Sequence, residues 1–437
     1  MRAMKDSGIP WIGEIPKDWV VRKLRNVGRF SASGIDKKIV EGEPLVHIIN
    51  YVDVYKNPNR ELRAQEYMIV SAPIEKCSEH QVNVGDMIFT PSSETIEDIG
   101  VSAVIMDELP NTAFSYHVLR FQPNNVVDLK YRKYFTNNNY CLNYFSSCAT
   151  GTIRKTISRD VFKECLVVLP PLAEQQRIAE FLDRKCAEVD EMIALQEQII
   201  EELKAYKQSV ITEAVTKGLN PDVPMKDSGI EWIGEIPEHW RIGKIKMIAK
   251  TNSGSTPKTI SQTEESSIVW IRTTDINDNL VTDSSLHLTQ EELNSASCPM
   301  LNKDVCVVAM YGGGGTIGKC GILGIEATIN QALCSIEVKS FHLGAFMFWT
   351  LRATRYNWMK FAVGTRKDPN ISQEIVRNYI VPIPPIEEQQ KISDYLNTKC
   401  TEIDNLISIK QSKIDSLKEY KKSIIYEYVT GKREVNE

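Results

Sequence analysis

The chain is written nearly twice, and that repeat limits it to folds built from two like units. Met4-Lys5-Asp6-Ser7-Gly8-Ile9 returns as Met225-Lys226-Asp227-Ser228-Gly229-Ile230, and Trp11-Ile12-Gly13-Glu14-Ile15-Pro16 returns as Trp232-Ile233-Gly234-Glu235-Ile236-Pro237. Trp19 is answered by Trp240. Further on, Pro170-Pro171-Leu172-Ala173-Glu174-Gln175-Gln176 is answered by Pro384-Pro385-Ile386-Glu387-Glu388-Gln389-Gln390. Between these brackets the interiors, roughly 24–160 and 245–375, hardly resemble each other. A constant frame around two different inserts describes a scaffold that holds two distinct readers.

Each repeat runs lead-in segment, variable interior, Pro-Pro, long helix. The lead-in segments are rich in Gly and Pro and flanked by indoles, which predicts irregular chain pinned by aromatic packing. The interiors alternate β-rich runs such as Val101–Met106 and Val305–Met310 with turn residues, and 344–361 is amphipathic. Each interior is therefore expected to be a small α/β domain with a twisted sheet.

After each Pro-Pro the chain predicts a helix reaching Thr216 or Thr430 with no internal Gly or Pro. Proline suits the first turn and Glu174 or Glu387 suits the positive helix start. In the first helix Val189, Met192, Gln196, Ile199, Leu203, Tyr206 and Val210 alternate steps of three and four, a heptad seam. In the second, Ile403, Leu406, Ile407, Ile414, Leu417, Tyr420 and Ile424 form an apolar face broken by Lys410 and Lys413. Each helix would be roughly 65 Å long and needs a partner for its apolar stripe. Pairing with each other as an antiparallel coiled coil is preferred over covering separate domains.

The 437 residues allow two or three domains, and no apolar run reaches bilayer length, so a cytoplasmic protein is expected. The ten cysteines are scattered with no Cys-x-x-Cys, as small core residues in a reducing compartment would be. A net charge of −5 does not by itself point to nucleic acid. It leaves phosphate contact to local patches and to basic partners.

Gly313-Gly314-Gly315-Thr316-Ile317-Gly318-Lys319 fits a phosphate-binding loop until Cys320 stands where a hydroxyl is required, and residues 320–324 read as strand or turn. The same loop can bring Tyr311, backbone N–H groups at Gly313 and Gly314, Thr316 and Lys319 against a DNA backbone, or be a plain turn. No methyltransferase signature, nuclease core, histidine cluster or nucleophile pair is present, so no catalytic function is expected.

What does recur is polar and basic. Gly151-Thr152-Ile153-Arg154-Lys155 has a counterpart in Gly364-Thr365-Arg366-Lys367, both just before the interiors end. Thr152, Arg154, Lys155, Thr365, Arg366 and Lys367 suit phosphate contact, with an Arg able to reach a guanine edge; a solvated turn is the alternative. Thr90, Ser92, Ser93 and Thr95 form a second candidate, beside Glu94. Asn330 and Gln331 suit adenine or, equally, the capping of a turn.

The repeated Trp-Ile-Gly-Glu-Ile-Pro-x-x-Trp at 11–19 and 232–240 and the two Pro-Pro helix openings resemble the specificity subunit of type I restriction-modification enzymes. Thr316-Ile317-Gly318-Lys319 with Ala327-Thr328-Ile329-Asn330-Gln331, and Gly85-Asp86-Met87-Ile88-Phe89-Thr90 with Ser93-Glu94-Thr95, are similar to stretches of that family. The resemblance covers essentially the whole chain. It implies an α+β fold: two α/β target-recognition domains separated by two long helices that pair as an antiparallel coiled coil, with a pseudo-two-fold repeat. The expected bounds are 1–169 for lead-in and first domain, 170–218 for the first spacer helix, 219–383 for the second lead-in and domain, and 384–437 for the second helix and tail.

The resemblance further implies that each domain reads one half of a bipartite duplex DNA site. The helices would set the spacer and dock two modification subunits that carry S-adenosylmethionine and methylate adenine after flipping it. Restriction subunits would add ATP- and Mg-dependent translocation and cleavage, leaving no cofactor on this chain. A coiled-coil scaffold whose variable domains bind proteins is the alternative.

Overall fold

In each repeat the two brackets pair with each other. In the computed structural model, which describes residues 2–96, 98–312, 315–362 and 370–435, Val20–Lys23 runs antiparallel to Leu166–Leu169, with Val20 opposite Leu169. Arg241–Lys244 pairs in the same way with Ile380–Ile383, Arg241 opposite Ile383. The chain therefore enters and leaves each variable interior through one two-stranded ribbon. The interior is a closed excursion from a constant base.

The molecule divides into two compact units, Met1–Gln196 with Ser412–Glu437, and Glu197–Gln411. In the first, a five-stranded sheet has the order Gly28–Ser31, Leu119–Pro123, Met87–Phe89, Ser102–Ile105, Glu61–Leu62. In the second the order is Ala249–Ser253, Leu333–Val338, Cys306–Ala309, Cys320–Leu323, Asn279–Val281. Both sheets are antiparallel except for one parallel edge pair, Glu61–Leu62 in the first and Asn279–Val281 in the second.

A three-stranded sheet accompanies each. Leu45–Ile49 lies between a parallel neighbour, Thr112–Phe114, and an antiparallel one, Met68–Ser71. Ile268–Ile271 lies between parallel Thr328–Ile329 and antiparallel His287–Leu288. Two interiors with little common sequence thus share one topology, because alternating apolar residues of many kinds satisfy the same pattern of backbone pairing.

The expected strands appear at Ser102–Ile105 and Cys306–Ala309, and the amphipathic 344–361 becomes a helix, Gly344–Ala353, followed by a 3-10 turn, Arg355–Phe361. The lead-in segments are more regular than expected. Met4–Asp6 pairs with Glu14–Pro16, and Met225–Asp227 with Glu235–Pro237. The loops between them turn on Gly8 and Gly229, both with positive φ, whose N–H groups are accepted by the Asp6 and Asp227 carboxylates at 2.9 Å. Trp19 and Trp240 are fully buried, whereas Trp11 is exposed.

The long helices span Leu172–Lys217 and Ile386–Val429. Their antiparallel pairing is visible within each unit. In the first, the Lys421 ammonium binds the Asp190 carboxylate at 2.6 Å, and the Phe181 and Tyr428 rings lie 4.4 Å apart. In the second, Lys207 binds Asp404 at 2.6 Å. The seam of the first helix keeps Val189 and Val210 but takes Ile200 and Lys207 in place of Ile199 and Tyr206, and Met192 faces out with 43% exposure. Both phases carry apolar residues at this stretch, so a three-four spacing fits either one.

Gln175 and Gln389 tie each helix opening to its variable domain. The Gln175 amide donates to the Pro170 and Val126 carbonyls and its oxygen accepts from the Asp128 N–H at 2.8 Å. Gln389 donates to the Pro384 carbonyl and accepts from the Leu343 N–H at 2.8 Å. Eight of the ten cysteines are buried and all ten are free thiols. Among the described residues no helix is long and apolar enough to cross a membrane.

Candidate nucleic-acid interface

Two of the stretches singled out in the first interior, more than fifty residues apart, join edge to edge. Ser92–Ser93 pairs antiparallel with Lys155–Thr156, and the Ile157 N–H donates to the Pro91 carbonyl at 2.8 Å. The hairpin at 150–156 is closed by Thr150 and Thr156, whose N–H groups each donate to the other's carbonyl at 3.0 and 2.8 Å. Gly151, at φ +109°, makes the turn, and a Cβ there would sit 2.2 Å from the Arg154 carbonyl oxygen. Thr152, Ile153 and Arg154 lie exposed on this loop, and Lys155 is half-buried at its foot.

Not all of the predicted hydroxyls face outward. Thr90 is wholly buried, its hydroxyl donating to the Val101 carbonyl at 3.1 Å. Ser93 is buried too and accepts from the Tyr51 hydroxyl at 3.0 Å and the Thr95 N–H at 3.2 Å. These two side chains hold the loop's shape instead of presenting polar groups to a ligand. Thr95 is exposed, with its hydroxyl on Asp98 at 2.6 Å, and Ser92 is half-exposed.

The sequence reading missed the aromatic surroundings of this ribbon. Tyr51 and Tyr55 stack with centroids 5.3 Å apart, and the neighbouring rings of Tyr116 and His117 lie 3.8 Å apart. Burial pushes the His117 pKa down, and the positive charges of Lys37 and Arg154 push it the same way. Arg154 also acts on Tyr51, whose pKa is raised first by burial. The patch therefore combines cations with flat rings, a surface suited to phosphates and base faces. The one-turn spacing of Tyr51 and Tyr55 and the Lys37-Lys38 pair were the available sequence signals.

The second interior repeats the geometry. Tyr311 bridges to Asn370, and the Ile371 N–H donates to the Met310 carbonyl at 2.9 Å, the counterpart of the Ile157 bond. Gly313, Gly314, Thr365, Arg366 and Lys367 lie outside the described residues. Around them, Thr316 and Lys319 are half-buried in a turn closed by the Lys319 N–H on the Thr316 carbonyl at 3.0 Å. Arg355 braces this loop, binding the Gly315 carbonyl at 3.2 Å and the Asp278 carboxylate.

Cys320 opens a strand, Cys320–Leu323, which pairs antiparallel with Cys306–Ala309, where a phosphate-binding loop would open a helix. Asn330 caps a turn, its side-chain oxygen accepting from the Ala332 N–H at 3.2 Å. Gln331 is exposed and hydrogen-bonded to the Thr256 hydroxyl. Asn330 thus takes the capping role, while Gln331 remains open to solvent.

The family model for the type I restriction modification DNA specificity domain matches this chain twice, over residues 16–205 and 237–419. The chain belongs to that family. The two matches start at the lead-in segments and cover both interiors and most of both helices, so the family's domain is the repeat itself.

A putative MjaX specificity subunit of a type I restriction enzyme from Methanocaldococcus jannaschii is 23% identical over 425 residues, which cover 96% of this chain and 95% of that one. The EcoKI specificity subunit of Escherichia coli is 23% identical, over 87% of this chain and 82% of its own. A solved chain from work on complex assembly and conformational transition of the type I R-M system superposes with a TM-score of 0.72 at 14% identity, covering 95% of this chain and 98% of that one. The HsdS subunit from Thermoanaerobacter tengcongensis gives 0.54 at 15% identity, covering 96% and 98%. These likenesses establish the fold as that of a type I specificity subunit.

Proposed function

We propose that this chain is the non-catalytic DNA-recognition subunit of a type I restriction-modification complex. Each variable domain reads one half of a bipartite duplex site through the ribbon and loops around Ser92, Thr95, Thr152, Arg154 and Lys155 in the first, and around Tyr311, Thr316, Lys319, Gln331 and 365–367 in the second. The observation that carries this reading is the repeated junction, Ile157 N–H to Pro91 in one unit and Ile371 N–H to Met310 in the other. It joins the chain just after the third strand of the sheet to the chain just before the interior ends, in two domains of otherwise different sequence.

The long helices set the spacer and dock two modification subunits. Supporting this, each unit leaves apolar and tyrosine side chains of the long helices in solvent, among them Met192, Leu195 and Tyr420 in the first and Leu406, Ile409 and Tyr206 in the second. Like patches on like units suit two copies of one partner. S-adenosylmethionine sits on those partners, and ATP and Mg on restriction subunits where these are present. The net charge of −5 fits a reader whose partners supply much of the phosphate attraction.

Single-molecule sequencing of DNA from a host that co-expresses this chain with its modification subunit tests the reading. A single split motif with N6-methyladenine in both halves is expected. An assembled complex that leaves DNA unmethylated would overturn it and favour a protein-binding scaffold.

A further inference from the structure

Ile153 is 90% exposed, the most exposed large apolar side chain among the described residues, and it stands at the tip of a hairpin whose other features are polar and basic. A loose solvated loop would account for an exposed isoleucine, but this hairpin is pinned at its base. Thr150 and Thr156 close it with two hydrogen bonds, and Lys155–Thr156 is zipped to Ser92–Ser93. Gly151 supplies a backbone conformation that side chains rarely adopt. Arg154 is the next residue, close enough to Tyr51 and His117 to influence their titration. A hairpin pinned at its base thus carries one β-branched apolar side chain outward, with cations next to it in the chain.

We propose that Ile153 is an apolar wedge that enters a base step of duplex DNA beside the first half-site. This rests on the DNA-recognition reading above. Partial unstacking exposes apolar base faces, and a β-branched side chain, already restricted at χ1, covers them at a small cost in rotamer freedom. Arg154 and Lys155 hold the flanking phosphates while the step opens. The tip costs the free protein nothing in packing, since Ile153 is buried against no other residue.

The test uses the full chain assembled with its modification subunits. Duplexes carry the methylated split site, with 2-aminopurine placed in turn at each step of the first half other than the methylated adenine. With the unaltered chain, fluorescence should rise at one such step, and Ile153→Leu should keep that rise. Ile153→Ser should abolish it and weaken specific binding about tenfold, a loss of one apolar contact's size, with an unchanged melting midpoint. Arg154→Ala should weaken salt-dependent binding while keeping the fluorescence step. If Ile153→Ser binds and unstacks DNA as the unaltered chain does, the wedge is overturned and the recognition reading stands. If the unaltered complex marks no split site, both fall.

Discussion

The indole of Trp19 donates its N–H to the Glu174 carboxylate at 2.9 Å, and Trp240 does the same to Glu388 at 3.0 Å. These bonds join the start of each repeat to the opening of its helix, which explains why the two ends of the repeat are the parts written twice. Arg2 adds a second donor to Glu174, and His239 a second to Glu388 at 2.7 Å. Gly431 packs over Trp19 and Pro16 and Gly218 over Trp240, both with positive φ. The end of the second long helix thereby closes onto the first lead-in segment within the first unit.

Trp19→Phe keeps a six-membered aromatic ring but removes the pyrrole part of the indole, which leaves a small void and a buried carboxylate oxygen short of one donor. A loss of about 1–2 kcal/mol is expected, the upper part of the range being reduced by Arg2. Trp240→Phe should cost less, because the Glu388 side chain is 35% exposed and that of Glu174 only 10%. Denaturant midpoints of the two variants check the order.

His342 provides a pH dependence. Burial pushes its pKa down to about 4, with the Gln389 side chain opposing that shift. Between pH 6.5 and 4 the unfolded chain binds the proton and the folded chain does not. The stabilisation is therefore complete above 6.5 and is lost as pH falls, by about 3 kcal/mol in all. His342→Asn should flatten that part of the midpoint-against-pH curve for the second unit. An unchanged slope would show that other groups carry it.

The frame was legible in the sequence because its contacts run between repeated residues, so repetition marked Trp19, Glu174 and Gln175 together with their partners. The helix phase was not, since Ile199 and Ile200 are both apolar and only packing chooses between them. The common topology of the interiors was hidden for a different reason: backbone pairing sets it, and Val307 and Ile88 fill equivalent strands equally well. Small hydroxyls misled at Thr90 and Ser93, which satisfy backbone and tyrosine partners inside the loop. The stacked Tyr51 and Tyr55 reach the ribbon only through the fold.

That contrast between buried and exposed candidates is measurable. Thr90→Val should cost about 1 kcal/mol of stability through the hydroxyl bonds lost to the Val101 and Asp98 carbonyls, the Val101 carbonyl keeping the Thr90 N–H, while leaving the salt dependence of DNA binding unchanged. Arg154→Ala should leave stability unchanged and reduce the slope of log K against log salt by about 0.9, the share of one phosphate contact. If both variants act on stability alone, the loop is structural throughout.

Because each interior enters and leaves through one ribbon, it is separable from the frame. Replacing 24–160 with another family member's interior should alter the first half of the methylated motif and keep the second. Loss of the second half in that chimera, read by sequencing, would mean that the two readers are coupled.

Both long helices pass from one unit to the other, and an ion pair fixes their register on each side: Lys421 with Asp190, and Lys207 with Asp404. A heptad inserted into the first helix alone after Gln196 cannot satisfy both pairs, because its residues beyond the insertion slip by about 10 Å against an unchanged partner. Destabilisation and poor assembly are expected. Seven residues inserted after Gln196 and another seven after Gln411 restore both pairs and add the same rise to each helix. That double insertion should keep the two half-site sequences and lengthen the spacer by about three base pairs, since roughly 10 Å spans three steps of 3.4 Å. Sequencing of methylated DNA distinguishes the outcomes: an unchanged spacer with full methylation would show that the helices do not set it.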